Sequence, residues 1–191
     1  MQRLVLCTGN PGKVAEMRAW LPDGIDLLSL RDVELPDDLP ETGETLEANA
    51  LQKARYAFGS SGIPCLADDT GLEVAALGGA PGVYSARYAG EAKDPLANMA
   101  KLLRELEGRT DRRARFRTVL ALVDADGERT FEGQVSGVIT EQAMGTGGFG
   151  YDPIFLPEGS ALTFAQMEPG SKNALSHRGR AMCRFLDHLA R

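Results

Sequence analysis

Cysteine is scarce: Cys7, Cys65 and Cys183 are the only three in 191 residues, too few and too scattered for a disulfide framework or a zinc site. That usage suits a reducing compartment, and the cytoplasm is the expected location. Long hydrophobic runs are missing as well. None approaches the roughly 20 residues that span a bilayer, and Met1-Gln2-Arg3-Leu4-Val5-Leu6-Cys7 yields to glycine and asparagine too soon for a signal peptide. Nor is there an excess of positive charge: 21 Lys and Arg stand against 27 Asp and Glu, a formal net charge of -6. Neither nucleic acid nor an anionic membrane is then an expected partner. A small anionic substrate remains compatible, because a few converging lysines make a local positive pocket. With no repeat, low-complexity segment or linker, residues 1–191 read as one domain.

The 43% of apolar residues supports a substantial core, and their spacing predicts alternating elements. Leu4 to Cys7 reads as a buried strand. It runs through Thr8-Gly9-Asn10-Pro11-Gly12-Lys13 into a helix with Val14, Met17 and Leu21 on one face. A second helix is expected over Thr45 to Phe58, with Leu46, Ala50, Leu51, Ala54, Ala57 and Phe58 inward. Thr45, Asn49, Gln52 and Tyr56 form its polar stripe, with Lys53 on the border. Ile63 to Ala67 predicts a short strand ending at Asp68-Asp69-Thr70-Gly71. Asp94-Pro95 starts a helix, the acid as N-cap and the proline in its first turn, with Leu96, Met99, Leu103 and Leu106 facing the core. Val119 to Val123 and Thr130 to Ile139, around Asp126-Gly127, predict an antiparallel hairpin. A final helix from about Ser176 buries Met182, Phe185, Leu186 and Leu189. The class is α/β around a mixed sheet.

Four segments carry chemical potential. In Thr8 to Lys13, glycines permit close backbone approach, the helix start offers N–H groups to an anion, and Lys13 places a cation against its own helix dipole. The spacing is not that of a Walker A loop, and a plain strand-to-helix turn fits about as well. Lys53 and Asn49 lie one turn apart on the second helix, beside Glu41 in an irregular segment; Glu41 is a candidate magnesium ligand, although a solvated helix face is the simpler reading. Asp68 and Asp69 are adjacent on a strand end and point in different directions, so one acid can help hold a metal while it, or its neighbour, takes a proton from metal-bound water. Finally, Gly147-Gly148-Phe149-Gly150-Tyr151-Asp152 sets aromatics among flexible glycines, suited to a base. Lys172 and Ser176-His177-Arg178 bring donors to a helix N-terminus. His188 reads as an exposed structural position.

In this order, Thr8-Gly9-Asn10-x-x-Lys13, Glu41-Thr42-Gly43 with Asn49-Ala50-x-x-Lys53-Ala54, and Ala67-Asp68-Asp69-Thr70-Gly71-Leu72 resemble the inosine triphosphate pyrophosphatase family, its bacterial branch above all. So do Leu77-Gly78-Gly79-Ala80-Pro81-Gly82-Val83-Tyr84-Ser85-Ala86-Arg87-Tyr88, Gly147 to Phe155 and Ser176-His177-Arg178-Gly179. The resemblance runs from the first strand to the last helix. It implies an elongated single α/β domain with a central curved mixed sheet flanked by helices, two lobes around a nucleotide cleft, and a homodimer. It also implies magnesium-dependent release of pyrophosphate from ITP, dITP and XTP, leaving the monophosphate and keeping deaminated purines out of nucleic acid.

By the same resemblance, Thr8, Gly9, Asn10, Pro11, Gly12 and Lys13 would hold the triphosphate with Lys53. Glu41 and Asp69 would serve the metal, with Asp69 as the base for water. Thr70 would touch the substrate, and Phe149, Gly150, Tyr151 and Asp152 would embrace base and sugar. Lys172, His177 and Arg178 would read the 6-oxo edge. Two other readings compete: a related septum-associated pyrophosphatase acting on modified pyrimidine nucleotides, and a nucleotide-binding regulator without turnover. The His177-Arg178 segment favours the purine branch. A possible base beside a metal ligand, in Asp68-Asp69 with Glu41, favours an enzyme over a mere binder.

Overall fold

The computed structural model describes residues 3–190. In chain order the elements are β1 (Arg3–Cys7), α1 (Pro11–Arg18), β2 (Asp26–Leu28), α2 (Leu46–Ser61), β3 (Cys65–Val74) and β4 (Pro81–Gly82). They continue with α3 (Pro95–Glu105), β5 (Arg113–Asp124), β6 (Gly127–Ile139), β7 (Phe155–Pro157), α4 (Pro169–Leu175) and α5 (His177–Leu189). The strands form one mixed sheet in the order β2-β1-β3-β5-β6-β7, with β4 paired to β3. β1 runs parallel to both β2 and β3, in a register that sets Leu6 against Leu66 and Cys7 against Ala67; β4 and β7 pair antiparallel to β3 and β6. The expected α/β class is therefore present.

The chain forms two compact units: residues 1–69, 118–133 and 178–191 make one, residues 70–117 and 134–177 the other. Each has its own core. In the first, Leu4 and Leu6 of β1, Leu66 of β3 and Leu120 and Leu122 of β5 cluster with Met17 of α1 and Met182 and Phe185 of α5. In the second, Leu72 and Val74 of β3 cluster with Leu102 and Leu106, Phe116 of β5, Phe155 and Phe164. The second core is richer in rings: Phe116 meets Phe155 edge-on at 4.7 Å between centroids, a geometry aromatic pairs favour.

Local structure follows the expected signals, with three corrections. Thr45 caps α2 by accepting from Ala48 N, and Gly62, at φ +66°, ends it three residues beyond the expected stop; glycine adopts that left-handed conformation at no steric cost. Only part of the polar stripe of α2 is a solvated face: Thr45 and Tyr56 are exposed, but Asn49, and Lys53 on its border, are buried, because the segment before the helix folds back over them. The strand expected over Ile63 to Ala67 begins later and continues through Asp68, Asp69 and Thr70 to Val74, so the two acids lie within a strand rather than at its end. In α3, Asp94 is the N-cap as expected, but Leu96 is 71% exposed and the inward residues are Asn98, Met99 and Leu102. Asn98 accepts from Ala89 N at 2.6 Å and donates to Ala86 O at 2.9 Å. Satisfying that backbone turns the buried face toward Asn98, and Leu96 is left about 160° round the helix from that residue.

Candidate functional site

The division between the units falls between Asp69 and Thr70 and again between His177 and Arg178. The candidate residues thereby separate into an ionic group in the first unit and an aromatic group in the second.

The ionic group starts at the loop from β1 to α1. Thr8 Oγ1 accepts from Asn10 N, and Asn10 Oδ1 accepts from both Gly12 N and Lys13 N. The loop's own cap thus takes up helix-start donors that were expected to serve an anion. Gly9 has a reason within the fold: a Cβ there would lie 2.7 Å from Asp37 O. Gly9, Asn10 and Pro11 are exposed, and the Lys13 side chain turns inward from the loop.

Lys13 Nζ contacts Asp68 Oδ1, and Arg178 bridges Asp68 Oδ2, 3.0 Å from its Nε, to Glu16 through Nη1. Asp68 is fully buried. Burial would push its pKa up, but Lys13, Arg178 and Lys53 outweigh that and hold the carboxyl well below the usual range. Asp69, next on the strand, points to the other face and shows the reverse balance. Burial, with the charges of Glu41 and Asp68, raises its pKa against the pull of Lys53 and Lys13. Asp69 Oδ2 is buried and makes no hydrogen bond.

Lys53 lies between the two candidate metal ligands. Its Nζ contacts Glu41 Oε1, donates to Asp68 O at 2.7 Å and lies 3.5 Å from Asp69 Oδ1. Burial lowers its pKa, but Asp69, Glu41 and Asp68 more than reverse this and keep the ammonium charged. Formally, Lys13, Lys53 and Arg178 face one more negative charge than they carry, from Glu16, Glu41, Asp68 and Asp69. Two hard carboxylates, one with an unsatisfied buried oxygen, fit a divalent cation such as magnesium. No group of three or more His, Cys, Asp or Glu suited to a metal occurs among the described residues. Magnesium accepts such a site, since one or two carboxylates plus phosphate oxygens and water commonly complete its shell.

The aromatic group is organised by Asp152, which is buried. Its Oδ2 accepts from Phe149 N at 2.7 Å and from Lys172 Nζ at 2.6 Å. Gly148 makes the turn possible: at φ +70°, a Cβ would lie 2.1 Å from that same oxygen. Lys172 Nζ sits 4.7 Å from the Phe149 ring centre, within the range of a cation–π contact. His177 stacks on Phe116 at 4.6 Å, the planes 15° apart. Tyr151 Oη donates to Ser85 O, and Ser85 Oγ accepts from Leu72 N while donating to Gly82 O. The Leu77 to Tyr88 motif thus braces both Tyr151 and the strand that follows Thr70, which is itself half-buried in β3.

Lys13, Glu41, Lys53 and Asp69 come together as the sequence suggested, as do Phe149, Tyr151, Asp152, Lys172 and His177 in their own group. Gly150, at φ +62°, turns the chain into Tyr151. Arg178, expected to read the base, serves Asp68 and Glu16 with two of its nitrogens. Sequence reasoning passed over Glu16, whose only signal is an acid one turn after Lys13, and Phe116 and Phe164, which look like any core residue.

The Ham1 family model matches residues 4–188. The chain is 49% identical over 189 residues to the dITP/XTP pyrophosphatase of Christiangramia forsetii, covering 99% of this chain and all of that one. It is 47% identical to the protein of the same description from Porphyromonas gingivalis, over 99% of this chain and 98% of the relative. Among solved structures, a HAM1 protein from Coxiella burnetii superposes with a TM-score of 0.91 at 40% identity, covering 100% of this chain and 99% of that one.

Proposed function

The chain belongs to the Ham1 family, and we propose that it hydrolyses non-canonical purine nucleoside triphosphates (ITP, dITP and XTP) to the monophosphate and pyrophosphate. The observation that carries this reading is the contrast between neighbouring acids. Asp68 is neutralised by Lys13 and Arg178, whereas Asp69 keeps a buried oxygen without a hydrogen bond and a raised pKa. A carboxylate so tuned is suited to take a proton.

In this reading Glu41 and Asp69 hold magnesium, which when bound screens the phosphates and makes its water more acidic. Asp69 accepts the proton of the attacking water. Lys13 and Lys53 stabilise the charge gathering on the departing pyrophosphate, with the loop from Thr8 to Gly12 shaping the approach and Arg178 and Glu16 keeping Asp68 and Lys13 in register. Phe149 stacks on the base, and Thr70 and Tyr151 border the sugar. Lys172, aimed by Asp152, and His177 donate to the base edge. Inosine and xanthine offer an acceptor oxygen at C6, where adenine offers an amino donor. Donors facing that amino group would leave buried polar groups unpaired, which disfavours ATP.

Supporting the remaining assignments are the family resemblance, for a homodimer, and the cysteine usage, for the cytoplasm; among the described residues no helix is long and apolar enough to cross a membrane. The test of the reaction is a panel of ITP, XTP, dITP, GTP, ATP and dTTP with magnesium and product identification. ITP should give IMP and pyrophosphate in equal amounts. IDP and orthophosphate as primary products would overturn the assignment, and a preference for dTTP would move it to pyrimidines.

A further inference from the structure

Helix α2 grips the loop that carries Glu41 at two points on successive turns. Asn49 Oδ1 accepts from Gly43 N at 2.7 Å. Gln52 Oε1 accepts from Thr42 N, and its Nε2 donates to Thr42 Oγ1, both at 2.9 Å. The fit leaves room for nothing larger than glycine at position 43, where a Cβ would lie 2.7 Å from Ala48 Cβ and 2.9 Å from Asn49 Oδ1. Asn49 is 1% exposed and its Nδ2 makes no hydrogen bond. A buried, unpaired donor is costly, yet an apolar residue at position 49 would strip Gly43 N of its acceptor. The loop's position is maintained against that cost.

One residue upstream of the grip is Glu41, in contact with Lys53 Nζ, which lies 3.5 Å from Asp69 Oδ1. Both bonded loop residues, Thr42 and Gly43, follow Glu41 directly, so the clamp limits how far its carboxylate can swing from Asp69. We propose that Asn49 and Gln52 are positioning residues that hold Glu41 for a divalent cation and so set the metal affinity of the ionic group. The proposal rests on the metal reading above. It deepens that reading by giving two further side chains of α2, beside Lys53, a part in holding a metal ligand.

Groups that orient a metal's ligands typically change its affinity by 10- to 100-fold when removed. The test is a titration of the substrate-free chain with Mn²⁺, following free Mn²⁺ by electron paramagnetic resonance. Gln52→Ala should weaken uptake by about 10-fold, Asn49→Ala by at least as much, and Thr42→Val, which removes one of the two Gln52 bonds, by less. In turnover, the metal concentration for half-maximal rate should rise by the same factors, while the rate at saturating metal stays close to that of the parent. Asn49 is buried and its variant can fail to fold; Gln52 is half-buried and grips an exposed residue, so Gln52→Ala and Thr42→Val still decide. Unchanged Mn²⁺ affinity in those two folded variants overturns the clamp and leaves the metal site standing. A parent chain that takes up no Mn²⁺ overturns the metal reading, and the clamp with it.

Discussion

The ionic and aromatic groups manage charge in opposite ways. In the first, three cations and four carboxylates meet directly, and Asp68 is sealed from solvent by its partners. In the second, one buried pair, Lys172 with Asp152, lies against ring faces and is aimed by a backbone N–H. A network of direct charge contacts responds to charge and is indifferent to the shape of what it neutralises, which suits phosphate. A single donor fixed among aromatic rings discriminates between flat ligands by the direction of their hydrogen bonds. The chemistry of bond cleavage should then be lost by changes in the ionic group, and the choice of base by changes in the aromatic group.

The largest effect should come from Asp69→Asn. Asparagine cannot accept the proton and binds magnesium poorly. Loss of a general base costs about 10²- to 10⁴-fold in rate, so turnover of ITP should fall by that factor while the melting temperature holds or rises. A variant with near-parental turnover at saturating magnesium would shift the role to another group and blur the contrast between the two acids.

Asp68→Asn should damage the fold instead. Lys13 and Arg178 would lose their shared counter-charge in a buried setting, and breaking such a pair by removing one partner costs about 3–5 kcal/mol. Chemical denaturation should register that loss. A stability change below about 1 kcal/mol would mean the network relaxes without Asp68.

Next comes a paired test of the division of labour. Lys53→Ala should lower the efficiency of ITP and ATP together by roughly 10- to 150-fold, the value of a charged hydrogen bond of about 1.5–3 kcal/mol, leaving their ratio unchanged. Asp152→Asn keeps an acceptor for Phe149 N but releases the charge that aims Lys172, so the ITP to ATP ratio should drop by about 10-fold or less. Steady-state kinetics on both substrates decide. If Lys53→Ala alters the ratio and Asp152→Asn does not, the roles of the two groups are exchanged.

Much of this was legible in the sequence because it was written locally. The cap at Asp94, the hairpin turn at Gly127 and the apolar faces of α2 and α5 each depend on neighbours a few residues away. The candidate residues were found through ordered motifs, but their partnerships were not, because those join distant segments. Nothing within Ser176-His177-Arg178 indicates that His177 stacks on Phe116 while Arg178 turns to Asp68, 110 positions away. The inward face of α3 failed for the same reason: an apolar count favours Leu96, whereas the hydrogen-bond needs of Ala86 and Ala89 select Asn98. Likewise, α2 looked like an ordinary surface helix until its polar side chains met the loop at Thr42 and Gly43.

The smallest effect concerns how the adjacent acids shape stability with pH, measured on metal-free protein. Asp69 has a raised pKa in the fold, chiefly through burial. Its contribution to stability is therefore fully present below the unfolded pKa, near 3.9, and is lost as pH rises through the folded value. At neutral pH the ionised carboxylate is a burden, so Asp69→Asn should be more stable than the parent there, by about 1.4 kcal/mol for each tenfold displacement of the proton equilibrium. That advantage should shrink as pH falls and vanish by about pH 4. Asp68 must behave with the opposite sign. Burial opposes its charge, but Lys13, Arg178 and Lys53 prevail and lower its pKa, so its contribution is present above the unfolded value and is lost only as pH falls below it. Asp68→Asn should hence be the less stable protein at pH 7, the gap narrowing only below about pH 4. Urea denaturation of the three proteins from pH 7 down to the lowest pH at which they stay folded measures both gaps. Two gaps of the same sign would mean that the neighbouring carboxylates share one environment, and the assignment of structure to one and chemistry to the other would fail.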